Sequence, residues 1–198
     1  GAGDPLEVYA GGADMVTDEI RHTALCVGVC EALGIKPVFP DPIQAEEPED
    51  FLRLPSPQRA LATAISMLAI NETLSTGFIS DLRDRCTQPV IRAVLDATLE
   101  DEDGHHDFGW SYLRNSLKRF QGSGKAYWRE VTRRTLAPHR EKADEILRGI
   151  PTDRQNLENF PDEDRVQLGL FSPQRQALVF RNTYREEVAP KLLELELI

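Results

Sequence analysis

Apolar residues recur along this chain in alternating steps of four and three, the period of one face of an α-helix. A first face runs from Leu6 through Val8, Gly12, Met15, Glu19, His22, Cys26, Val29 and Leu33. Gly11 and Gly12 weaken its early turns, and Gly34 followed by Pro37 marks its end. A second face runs through Leu61, Ile65, Leu68, Glu72, Ser75, Ile79, Leu82 and Cys86, opened by Ser56 as N-cap and Pro57 at the first helical position. A third helix is expected over roughly 88–120 with Thr87 as its N-cap. Its seam is Ile91, Leu95, Thr98, Glu102, His105, Gly109 and Leu113.

Prolines and acidic residues fill 35–56, including the run 46–50, which reads as a long connection with a solvated acidic loop. Gln121-Gly122-Ser123-Gly124 reads as a linker. A fourth helix over 125–149 carries Trp128, Val131, Leu136, Ile146 and Leu147, and Pro138 is expected to kink or split it. Residues 150–171 read as loop. Ser172-Pro173 then starts a fifth helix reaching about 196, which Pro190 should bend near its end. No segment alternates with period two, so the fold class is all-α. The domain reading is one metal-binding bundle over 1–121 and a helical extension over 122–198 packed on it.

The seams are interrupted by residues that are costly to bury. Glu19, His22, Glu72, Glu102 and His105 stand where Leu is expected, and a desolvated carboxylate or imidazole needs a partner. A metal ion supplies one. Residues three apart on a helix lie about 60° apart around its axis, so each Glu-x-x-His pair can reach a single ion. The pattern Asp-Glu-x-x-His occurs twice, at Asp18–His22 and at Asp101–His105.

The two Glu-x-x-His pairs and the Glu between them resemble the ferritin-like di-metal carboxylate bundles, whose helices carry Glu, Glu-x-x-His, Glu and Glu-x-x-His in that order. Here Glu19/His22, Glu72 and Glu102/His105 match the second, third and fourth terms. The run His105-x-x-x-Gly109-Trp110-x-x-Leu113 is similar to a bacterial ferritin-like group. The resemblance covers residues 1–120. It implies a ferritin-like four-helix bundle whose first helix, carrying a further Glu, lies upstream of Gly1, with two extra C-terminal helices. It also implies that Asp18 and Asp101 accept the second imidazole N–H across the bundle.

Carboxylates with one imidazole per metal suit two Fe ions, or an Fe/Mn pair. The function expected is a non-haem di-iron (or Fe/Mn) oxidoreductase that activates O₂ on a small organic substrate. A ferroxidase or iron-handling protein is the first alternative. A non-catalytic helical interaction module, with 125–149 and 173–196 as its partner surface, is the second. The expected partners are O₂, a small-molecule substrate, an electron-donor protein and a second copy of the chain.

Charge and cysteines narrow the setting. The formal net charge is −10, which disfavours nucleic acid as a main partner. No apolar run approaches a membrane span of about 20 residues. There is no basic-then-apolar leader, and three cysteines make no disulfide framework, so the cytoplasm is expected. Cys26 and Cys30, four apart, are expected to pack in the core. Trp110, Tyr112, Tyr127 and Trp128 are read as packing aromatics, His106 as facing a neighbour or solvent, and His139 as a surface residue. No phosphate loop, nucleophile elbow or Cys-x-x-Cys pair occurs.

Overall fold

A computed structural model describes residues 3–38, 47–120, 124–149 and 161–198. Of the expected features, the linker at 121–123 and parts of the two connections, 39–46 and 150–160, lie outside the described residues. The described residues are helical and contain no strand, so the chain is all-α. It divides into two compact units, Gly1–Thr63 and Ala64–Ile198.

The first unit contains α1 (Leu6–Ala32), α2 (Glu49–Leu52) and α3 (Ser56–Thr63). α1 ends as its sequence dictates. Gly34 takes a left-handed φ of 72°, and the amides of Gly34 and Ile35 reach back to the carbonyls of Glu31 (2.9 Å) and Cys30 (2.8 Å). Only glycine adopts that conformation without strain, and the two bonds satisfy carbonyls that the helix would otherwise orphan.

The expected α1 seam is only partly buried. Met15 and His22 are buried, whereas Leu6 is 80% exposed, Leu33 59% exposed and Cys26 also exposed. Cys30 is half-buried, so the cysteine pair is not core. Apolar residues occur all around this helix, Val16 and Ile20 included, so periodicity did not single out one face.

The second unit opens with a π-helical segment, Ala64–Asn71, which passes into α4 (Glu72–Arg85). Then come α5 (Pro89–Ser116), a 3₁₀ turn (Leu117–Phe120), α6 (Gly124–Leu147) and α7 (Asp162–Gln167). α8 (Pro173–Thr183), a second π segment (Tyr184–Val188) and α9 (Ala189–Glu194) complete it. α5 packs on the first π segment and on α4, while α8 packs on α6 and α4. Ile65, Ile70, Trp110, Leu113, Leu136, Val188 and Leu192 are fully buried between them.

Several local expectations are corrected. Gln88, not Thr87, caps α5: its side chain accepts the Ile91 N–H at 2.7 Å, with Pro89 at the first position. α6 runs unbroken through Pro138. That residue is on the exposed side, so one backbone hydrogen bond is lost while Leu136, Ala143 and Ile146 remain packed. Ahead of Pro190 the chain widens into the second π segment, which relieves the proline ring against the carbonyl four residues back. Ser172 caps α8 as expected, accepting the Arg175 N–H at 3.2 Å.

Asp81 ties α4 to α8. Its carboxylate accepts from Arg175 Nε (3.1 and 3.2 Å) and from Arg85 Nε (3.0 Å). Burial opposes its ionisation, but the Arg175 hydrogen bond and the two guanidinium charges together hold its pKa below the ordinary 3.8.

The tightest approach is between α5 and the first π segment at Gly109. A Cβ there would sit 2.0 Å from the Leu68 carbonyl oxygen, 2.3 Å from its carbon and 2.8 Å from the Ala69 nitrogen. All three are backbone atoms, which cannot rotate away. Gly109→Ala is therefore expected to lower unfolding free energy by about 3 kcal/mol or more, read as a fall in denaturation midpoint. A variant as stable as wild type would show that α5 and the π segment are not in backbone contact.

Candidate metal centre

Two elements of the second unit bring three of the five expected residues together. Glu72 is the first residue of α4, directly after the π segment. Glu102 and His105 are one turn apart in the middle of α5, on the face that continues into Gly109, Trp110 and Leu113. Glu72, Glu102 and His105 each present a donor atom, and these atoms lie within 4.8 Å of one another. Glu102 and His105 are each only 3% exposed, and their Oε2 and Nδ1 are 3.8 Å apart. Glu72 is half-buried rather than buried.

This donor set fits a divalent cation. Carboxylate oxygen and imidazole nitrogen are the donors that iron, manganese and zinc accept. With bonds of about 2.1 Å, ligands of one ion lie about 3–4 Å apart, within small side-chain adjustments of the spacing found here.

The π segment explains why the second seam was misphased. The expected positions Ile65, Leu68, Glu72 and Ser75 assume an unbroken α-helix. The wider turns shift the buried set to Ala64, Ile65, Ala69, Ile70, Thr73 and Leu74, and leave Leu68 half-buried. Such widened turns recur at functional sites, and this one delivers Glu72.

In the first unit, Glu19 and His22 are together on α1, with Glu19 Oε2 3.6 Å from His22 Nδ1. The Glu19 side chain is 54% exposed and that of His22 10%. Asp18 and Asp101, expected to orient the imidazoles, are half-buried on α1 and α5. His106 is half-buried, with Nδ1 3.1 Å from the Glu102 carbonyl oxygen and Nε2 3.5 Å from Asp107.

The shell behind the three donors is built from residues that sequence reading had placed elsewhere or overlooked. Trp110 Nε1 donates to Thr73 Oγ1 (2.8 Å), which donates to the Ala69 carbonyl (2.7 Å). This chain locks α5 to the helix that carries Glu72. His139 is not a surface residue. It is half-buried, with Nε2 3.3 Å from Oδ1 of Asn71, the neighbour of Glu72, and its ring is stacked 5.7 Å from Phe180. The proline before it suggested an exposed break, but the helix continues and turns the ring inward. Trp110 and Trp128 are buried, and Tyr112 and Tyr127 half-buried.

No protein-family model, curated protein or solved structure matches the chain. Function must therefore be argued from these residues.

Two outcomes follow from the shell. Thr73→Val keeps the shape but removes the acceptor for a buried indole N–H. It should cost about 1–3 kcal/mol in chemical denaturation, and no loss would mean that the indole finds another acceptor. For His139, burial and then the Lys142 charge hold the imidazole below its ordinary 6.5. The unfolded chain thus takes up this proton more readily than the fold. The stabilisation is present above about pH 6.5 and is lost as pH falls from there toward the lowered value. The melting temperature of His139→Gln should fall less between about pH 7 and pH 5 than that of wild type; parallel profiles would refute the assignment.

Proposed function

We propose that this chain is a ferritin-like, non-haem di-iron or iron/manganese carboxylate oxidoreductase that activates O₂ against a small organic substrate. The observation that carries the proposal is the convergence of Glu72, Glu102 and His105, with two of the three almost wholly withdrawn from water. A carboxylate and an imidazole buried on adjacent turns are expensive to keep without a compensating charge. The same Glu-x-x-His pairing recurs in the first unit, where Glu19 Oε2 and His22 Nδ1 are 3.6 Å apart on α1.

Each side chain has a task in this reading. In the second unit His105 gives a metal a ring nitrogen, and Glu72 and Glu102 supply the anionic oxygens that balance the ionic charge. In the first unit Glu19 and His22 are the corresponding carboxylate and imidazole. Asp18 and Asp101 hold the remaining imidazole N–H groups and so fix the tautomers. The burial of Glu102 and His105 keeps bulk water away, while the half-exposed Glu72 leaves an approach for O₂ and substrate. The bound metals would supply the electrons and open coordination positions that O₂ reduction needs.

Metal analysis of the full chain tests this. After aerobic loading with Fe(II), or with Fe(II) and Mn(II) together, and desalting, wild type should retain metal. His105→Ala and Glu102→Ala should retain roughly tenfold less or lower still, with helicity by circular dichroism unchanged. Absence of metal from wild type, or unchanged content in both variants, defeats the proposal. A large closed shell on gel filtration would assign the centre to iron handling instead.

A further inference from the structure

Away from the three donors, the second unit has a cleft of about 410 Å³ between α6 and the junction of α8 with the second π segment. Three arginines converge on it: Arg140 from α6, Arg181 from α8 and Arg185 from the π segment. Asp144, one turn beyond Arg140, is the acid among the lining residues, and Phe180 and Tyr184 form the aromatic wall. We propose that this cleft binds a small molecule through a dianionic phosphate group. The inference does not rest on the metal reading.

Like charges gather at a cost, and here they gather on a chain with a net charge of −10. Among the described residues, no carboxylate is within ion-pair reach of Arg140 or Arg181. Arg140 is held in place without one. Its guanidinium lies 4.5 Å over the Tyr184 ring and donates to the Tyr184 hydroxyl. Arg185 pairs with Glu186 at 2.5 Å, but both side chains are more than half exposed, so solvent already weakens that bond and a ligand can displace it.

The ligand class follows from donor geometry. One guanidinium fork saturates a carboxylate, whereas a phosphate monoester presents three terminal oxygens to three forks. With Asp144 and the Glu186 paired to Arg185 counted, the three cations keep a surplus of one charge, and release of Arg185 to the ligand raises the positive charge facing it to two over Asp144, the match for a dianion. The volume is in the range of small-molecule sites, and Leu178, which lines the cleft and is 42% exposed, offers apolar surface to the rest of the molecule. The second π segment adds a local reason: its widened turn sets Tyr184 and Arg185 at the cleft edge.

Isothermal titration of the full chain at about 0.15 M ionic strength tests the site with inorganic phosphate, phenyl phosphate and benzoate. Phenyl phosphate should bind saturably, and benzoate at least roughly tenfold more weakly. Arg181→Gln should weaken phenyl phosphate by about tenfold or more, and Arg181→Lys should not restore it, because an ammonium lacks the fork. Arg133→Gln, on α6 but outside the cleft, should bind as wild type does. Tighter binding of phenyl phosphate than of inorganic phosphate identifies a phosphorylated organic ligand; equal affinities identify the free ion as the ligand of the same site. The proposal is overturned if neither phosphate binds saturably below about 10 mM. It is equally overturned if a folded Arg181→Gln, checked by its melting temperature, binds like wild type, or if Arg133→Gln loses as much.

Discussion

The second unit depends on one backbone-to-backbone contact, α5 against the π segment at Gly109. Helices that meet at this distance have no room for side chains at the crossing. The residues one and two turns away are therefore forced inward, His105 and Glu102 on one side and Leu113 on the other, and Trp110 beside the glycine is buried with them. Burial of a carboxylate and an imidazole is thus a consequence of where the helix crosses its neighbour. Trp110 then makes the crossing directional, because its indole N–H must meet Thr73, whose hydroxyl is itself bonded to the Ala69 carbonyl. These links hold the two carboxylate-bearing helices in register by bonds that do not involve the carboxylates.

The legibility of the sequence followed the regularity of the backbone. α5 was read well because it is an uninterrupted α-helix: its seam from Glu102 through Leu113 is buried as the period requires. The stretch before Glu72 was read with the right residues and the wrong phase. A π turn takes up an extra residue without leaving a marker in the pattern of Ala64, Ile65, Ser66 and Leu68, so the step count ran on past it. α1 failed for another reason. Its apolar residues surround the axis, and choosing Leu6, Cys26 and Leu33 over Val27 or Leu25 had no basis in spacing alone.

Proline shows the same dependence on context. Pro138 is expected to kink or split its helix, yet α6 continues unbroken with it on an exposed flank, while Pro190, expected to bend the last helix, follows a widened turn. The sequence contains the cost of proline but not the neighbours that meet it. His139 shows the consequence: once α6 continues through Pro138, the ring beside it points toward Asn71 and Phe180, and a residue taken for surface becomes part of the support behind Glu72.

Charge is the property that a linear reading handles least well. A total of −10 is correct as a sum and says nothing about where the exceptions lie. Arg140 belongs to α6, Arg181 to α8 and Arg185 to the π segment that follows it, so no basic run exists for a scan to find. They become a cluster only when α6 and α8 pack, a pairing fixed by buried apolar residues such as Ala143, Ile146, Ala177 and Phe180. The carboxylate site has the same origin in packed helices, with the opposite sign. One unit therefore holds an anionic cluster suited to cations and a cationic cleft suited to anions, with no residue common to the two.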